Sequence, residues 1–368
     1  MNVTEPPDSQ HVPTELAPAG PVLELARWAP SGDNTQPWRF EVRDANHIVV
    51  HGYDTRDHCV YDLDGHGSQL ALGALLETIA IAATTQGCLA KVTRQPDSPD
   101  ERPLFDVTLV PEPDIAPDPL AQAIKTRTVQ RRPMRFRRLD DAEKHALEAA
   151  VQPGYRVLWL ESAAQKWATS RILFANAKLR LTMREAYEVH RRIIEWNARY
   201  SANRIPDRSL GLDPLTLKLM RWVMGSWERV RFFNAYLAGT LAPRIQLDLL
   251  PAMACGAHFV LVAERPAATL DDYVEAGRRL QRFWLTAERL GLKLQPEVTP
   301  LIFARYLREG RRFTAQDEIL SAAAPMAEHL RALLAANLDQ AVFMGRIGAG
   351  NEAVSRSLRK TLDQLQAS

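Results

Sequence analysis

The sequence predicts an α+β protein, with a mostly antiparallel sheet flanked by helices. Three observations carry that expectation. WRFEV and LFDVTLVP alternate apolar and polar residues, as strands with one buried face do. LALGALLETIAIAATTQG is apolar on every side, as a buried helix is. Strand-like and helix-like segments follow one another without strict βαβ alternation, which argues against a parallel doubly wound sheet.

In chain order, residues 1–19 are rich in Pro and polar or acidic residues and predict a disordered tail. They have neither the basic nor the apolar region of a signal peptide. Residues 21–29 predict a short helix ended by Pro30. The polar turn SGDNTQP follows, then WRFEV and a partner strand HIVVHGY. DLDGHGS has turn chemistry. Residues 68–86 form the apolar helix, which contains Glu77 and ends in Gly87, short of the roughly 18 uninterrupted apolar residues of a membrane span. LFDVTLVP is a third strand, and the Pro-rich PEPDIAPDP closes a first half over 20–118.

The second half, 119–350, opens with a short helix near Pro119–Lys125 and an arginine-rich stretch. Asp140 and Asp141 offer a helix cap, and YRVLWLES reads as a strand. Residues 163–200 read as largely helical. The segment 200–215, broken by Pro206, Gly211 and Pro214, is irregular in the way of loops that cover sites. AHFVLVAERP is the clearest buried strand, 269–290 an amphipathic helix, and GLKLQP a loop or short strand. AVFMGRIGAG is a last strand, and residues 351–368 read as a polar C-terminal tail.

Of the 368 residues, 46% are hydrophobic and 24% charged, enough to bury a large core without crosslinks. The net charge of +2 offers no global field for nucleic acid or an anionic membrane, so neither is an expected partner. The cysteines, Cys59, Cys88 and Cys255, are odd in number and form no CxxC. They read as small buried hydrophobes in a reducing cytoplasm. No histidine spacing matches a metal site. Glu77 reads either as a satisfied buried acid or as a group facing a ligand.

The most informative segment is Ala29-Pro30-Ser31-Gly32-Asp33-Asn34-Thr35-Gln36-Pro37-Trp38. A turn with backbone N–H groups, a hydroxyl and two amides can line the polar edge of a flat heterocycle. The competing reading is an ordinary loop that starts a strand. The second segment runs from Arg127 through Thr128, Arg131 and Arg132 to Arg138. Guanidinium groups bind phosphate in bidentate fashion, and a hydroxyl adds another bond. A solvated basic face competes for Arg135, Arg137 and Arg138.

APSxxNTQPWxF resembles the signature of nitroreductase-family flavoproteins, most closely the Acg-like branch. That resemblance implies an α+β fold that binds FMN between two subunits or two fused halves. Carried over by position, Pro30, Ser31, Gly32, Asn34 and Gln36 would meet the flavin ring or ribityl chain. Arg127, Thr128 and either Arg131 or Arg132 would hold the phosphate. Leu294, Gln295 and Pro296, after the helix that contains Phe283 and Trp284, would run beside the ring, with Glu297 close to the acidic position of many relatives. Arg346 would reach the phosphate from the last strand. The turn precedes the arginine element here, the reverse of the family's usual order, which implies two nitroreductase-like halves joined as a fused pseudo-dimer with one site per chain. The chain would then work as a monomer or weak homo-oligomer.

The implied activity is an FMN-dependent oxidoreductase that passes hydride or electrons from NAD(P)H to a small organic acceptor. No side chain is assigned as catalytic, and no metal is expected. The alternatives are a flavin-sequestering or storage protein with a lid near 200–215, and a relative that has lost FMN.

Overall fold

The computed structural model describes residues 17–237 and 239–367. Of the tail expected over 1–19, residues 1–16 lie outside them, while Ala19 is fully buried and begins the first helix. The first half contains helix α1 (Ala19–Ala26), strands β1 (Trp38–Val42) and β2 (His47–Gly52), helix α2 (His66–Thr84), and strands β3 (Cys88–Arg94) and β4 (Leu104–Pro111). After a 3-10 turn at Pro119–Ala123 come α3 (Asp141–Ala150), β5 (Tyr155–Leu160), α4 (Ala163–Thr182) and α5 (Arg184–Ile193). Short strands β6 (Ile194–Glu195), β7 (Tyr200–Ser201) and β8 (Ile205–Pro206) lead to α6 (Pro214–Val223), α7 (Trp227–Tyr236), α8 (Leu241–Arg244) and α9 (Leu250–Met253). The chain finishes with β9 (Ala257–Ala263), α10 (Leu270–Arg289), β10 (Leu292–Pro296), α11 (Thr299–Arg308), α12 (Asp317–Leu334), β11 (Ala341–Ala349) and β12 (Arg356–Ser357).

The fold is α+β, with two four-stranded sheets whose main pairings are all antiparallel. One sheet has the order β1-β2-β4-β3 and the other β5-β9-β11-β10. In both, the long helix falls between the second and third strands in sequence, α2 in one and α10 in the other. The two sheets therefore share one strand order and one helix placement.

The two long helices cross at glycines. A Cβ on Gly73 would collide with the carbonyl of Val274, and one on Gly277 with that of Leu70, so only hydrogen lets these backbones touch. The Glu77 carboxylate accepts from Arg282 Nη1 at 2.8 Å and Arg278 Nε at 3.0 Å, both on α10. Of the two readings of Glu77, the satisfied buried acid is the observed one. α2 is long and apolar enough for a membrane, yet it is buried in the core.

Burial explains the strand patterns. β9 is buried at every position, because α10 covers one face of its sheet and α4, α11 and α12 the other. β3, unassigned from sequence, alternates inward and outward positions on a sheet covered on one face. The three cysteines are free and buried, as expected.

The segment read as a polar C-terminal tail is a correction. β12 pairs with β7, Ala367 N donates to Phe40 O at 2.8 Å, and Leu365 is fully buried. Leu358, Leu362 and Leu365 recur among polar residues and give this segment a thin apolar edge that returns it to the first half.

Candidate functional site

The Ser31–Gln36 turn is built from backbone conformations that side chains rarely adopt. Asp33, Asn34 and Gln36 all have positive φ, at 53°, 60° and 51°. Such a conformation costs of order 1–3 kcal/mol per residue and persists only where surrounding structure enforces it. The enforcing bonds are present. Ser31 Oγ accepts from Gln36 N at 2.9 Å, and Trp38, fully buried, anchors the strand that follows. Asn34 Nδ2 donates to Arg204 O and Leu358 O, both at 3.2 Å. Gln36 Nε2 donates to Ala202 O at 2.8 Å, and its Oε1 accepts from Lys360 N at 2.9 Å. The amides of Asn34 and Gln36 thus clamp the 202–204 arch and the C-terminal segment. Pro30 is buried, while Ser31 and Asp33 are half-buried and Gly32 is exposed, so the turn's outer edge is Ser31–Asp33.

The arginine element is drawn to the same place. Val129 bridges to Leu294 and Gln130 N donates to Leu294 O, which lays residues 129–130 beside β10. Arg127 points the other way, 4% exposed, with its guanidinium 4.5 Å from the Trp284 ring centroid and Nη2 donating to Trp28 O at 3.2 Å. Arg359 Nε donates to the next carbonyl, Ala29 O, at 3.0 Å. These carbonyls follow the C-terminus of α1, where the helix dipole favours cations. Burial, with the charge of Arg356, lowers the Arg127 pKa to about 10. Burial and the charges of Arg127, Arg356 and Arg27 push Arg359 well below its usual value. Among the described residues no carboxylate hydrogen-bonds to Arg127 or Arg359, although the charge of Glu288 partly opposes the lowering of Arg127. Arg127 Nε and Thr128 Oγ1 are buried without hydrogen-bond partners. The orphaned donors of Arg127 and Thr128, with the half-buried Arg359 beside them, suit an anion.

Of the two arginines, Arg131 is the one whose charge acts on the turn. Burial raises the Asp33 pKa to about 6, against the opposing pull of Arg131 and Arg180. Arg131 is itself lowered to about 10 by burial, with Asp33 opposing. Arg132 reaches outward to Arg208 O.

Arg346 is held by two partners within the protein. Its Nη1 donates to Glu297 Oε1 and its Nη2 to Arg131 O, both at 2.8 Å, which leaves Nε without a partner. With both terminal nitrogens engaged, Arg346 fixes the backbone of Arg131. Behind it, His258 Nδ1 lies 2.7 Å from Glu297 Oε2, and Nε2 lies 2.9 Å from Ala252 O. Both neighbours are acceptors, so both ring nitrogens must donate and the imidazole is cationic. Burial opposes that charge, but the Glu297 carboxylate overrides it and raises the pKa to about 10. Gln295, Arg346 and His258 lie in one row across β10, β11 and β9. Leu294 is buried, Pro296 pairs with Gly345, and Gln295 Oε1 is buried without a partner.

Sequence reasoning missed Arg359, hidden in an apparent tail, and the His258 charge, which only pairing across strands reveals. Glu297 was in view, but its role as counter-ion to two cations was not legible.

No protein-family model matches the chain. An uncharacterised protein of Mycobacterium tuberculosis is 27% identical over 201 residues, 53% of this chain and 58% of that protein. The alignment thus spans somewhat over half of that relative's length. A second M. tuberculosis protein, provisionally named an NAD(P)H nitroreductase, is 36% identical over 127 residues, 34% of this chain and 35% of its own. Among solved structures, the nitroreductase-like family protein of Bacillus cereus overlaps 68% of this chain and 96% of its own, at 10% identity and TM-score 0.34. The FMN-dependent nitroreductase NfnB of Mycobacterium smegmatis, solved with NADPH, overlaps 68% and 99%, at 16% identity and TM-score 0.35.

Proposed function

We propose, from the premise that this chain is a nitroreductase-like protein, that it is an FMN-dependent oxidoreductase taking electrons from NAD(P)H and passing them to a small organic acceptor. The observation that carries this reading is the meeting of the Ser31–Gln36 turn with Arg127 and Arg359, two cations with no carboxylate in hydrogen-bond contact among the described residues and only the charge of Glu288 acting on Arg127. A phosphate monoester supplies the missing charge, and a planar ring system uses the polar edge of the turn. FMN combines the two. Arg127, Thr128 and Arg359 would hold the phosphate. Pro30, Ser31, Gly32, Leu294, Gln295 and Pro296 would lie along the ring and its side chain. Arg131, positioned by Arg346, would place positive charge near Asp33 and the turn. Arg132 stands at the margin.

When bound, FMN supplies the hydride or electron transfer itself. The chain's own contribution is to position and to tune. The His258–Glu297–Arg346 group carries two positive charges against one negative, and so favours negative charge beside Arg131. The shared strand order of the two sheets, with the α2–α10 crossing at Gly73 and Gly277, supports a fused pair of halves with one site per chain.

A second reading, flavin sequestration, is favoured by one observation. The 202–204 arch and residues 358–360 are both bonded to Asn34 and Gln36, so they strap the turn as a lid would. Absorbance of the purified protein tests FMN binding, and a colourless protein that stays colourless with added FMN overturns it. Anaerobic mixing with NADPH or NADH separates the readings: rapid bleaching supports turnover, and an unbleached flavin supports sequestration.

A further inference from the structure

α6 and α7 hold little of their surface inside the protein. α6 buries no residue and α7 only Val230, and the pair meets the body around Tyr187 and Met224. Their outer face is apolar and continuous. Leu215, Leu219 and Trp222 recur at helical spacing on α6, exposed by 78%, 48% and 52%. Phe232 and Tyr236 recur on α7, their rings 5.2 Å apart, and Phe233 joins them to Trp222 at 5.8 Å. Large contiguous apolar surfaces of this kind mark interaction sites.

Charge identifies the partner. Over α6, α7 and the α6 cap (213–236), Lys218, Arg221, Arg229 and Arg231 stand against Asp213 and Glu228, a net charge of +2, as much as the whole chain carries. The small global charge thus hides a local field. Lys218, Arg221, Arg229 and Arg231 are all exposed, and Arg229 lies over the Trp222 ring at 4.6 Å. A second copy docked on this face would bring these cations against their own counterparts. Aromatic and aliphatic side chains interleaved with Lys and Arg are the composition of helices that lie in a lipid interface, with rings at headgroup depth and cations on anionic headgroups.

We propose that the α6–α7 face docks on an anionic lipid surface. The chain does not span the bilayer; it rests on it through Leu219, Trp222, Phe232 and Tyr236. This inference is independent of the flavin reading.

The test is co-sedimentation of the full chain with vesicles of pure phosphatidylcholine and of phosphatidylcholine mixed with phosphatidylglycerol, at low and high salt. The expected result is binding to the anionic vesicles at least about tenfold stronger than to neutral ones, and weakened by salt. Trp222→Ser with Phe232→Ser should abolish it, and Lys218→Glu with Arg231→Glu should lower it about tenfold or more. These positions are exposed, and the wild-type comparison of lipids needs no variant at all. Failure to sediment with any vesicle overturns the proposal, as does equal binding to both lipids. A lipid-free dimer that the same substitutions dissociate also overturns it, because a second copy would then cover the face.

Discussion

Gly73 and Gly277 meet backbone to backbone where α2 crosses α10, and neither has room for a methyl group. In an ordinary helix, Gly→Ala gains roughly 1 kcal/mol. Here the sign reverses. Gly73→Ala should cost about 1–3 kcal/mol, because the added Cβ must push the helices apart. Chemical denaturation measures this, and a variant as stable as the wild type would show that the helices separate freely.

Glu297 sits between two buried cations, Arg346 and His258. Glu297→Gln removes the counter-ion that both share, leaving Arg346 buried unpaired, and should cost about 3–5 kcal/mol on chemical denaturation.

The same contact predicts a pH dependence. The folded pKa of His258 is raised from 6.5 to about 10, first opposed by burial and then lifted by Glu297. A raised histidine adds stability that is complete below 6.5 and drains away as pH climbs toward about 10. Wild-type stability should therefore fall over that window. The fall should be shallower in Glu297→Gln, where His258 has lost its reason to stay charged. Identical alkaline slopes in the two proteins would refute the cationic assignment.

Arg127 rests on an aromatic face and a carbonyl, with no carboxylate in hydrogen-bond contact. Arg127→Gln should raise the melting temperature of ligand-free protein by removing a poorly solvated charge. It should also weaken FMN about 10- to 100-fold, the worth of a charged hydrogen bond of roughly 1.5–3 kcal/mol. Thermal shifts with and without FMN read both effects. FMN affinity that survives the change would move the phosphate elsewhere.

Asn34→Ala removes the two bonds to Arg204 O and Leu358 O and places Ala at a φ of 60°. The expected loss is about 1–3 kcal/mol, felt locally. Hydrogen exchange at 355–361 should accelerate while the core of the second sheet stays protected. If that segment exchanges at its wild-type rate, Asn34 is not what holds it.

Much of the fold was legible because it rests on local chemistry. Alternation marked β1 and β4, uniform apolarity marked β9 and α2, and the residues of 31–37 announced a turn. What the sequence determined by itself is this set of elements and the chemical types gathered at Ala29–Trp38 and Arg127–Arg132. The tertiary structure alone decided which groups meet. A residue's periodicity says whether it is buried, and says nothing of its neighbour across a sheet or 300 positions away. So Arg346 was drawn to Glu297, Arg359 emerged from an apparent tail beside Ala29, and Glu77 found its partners on α10. Charge pairing is a property of distance in space, and only the folded chain sets that distance.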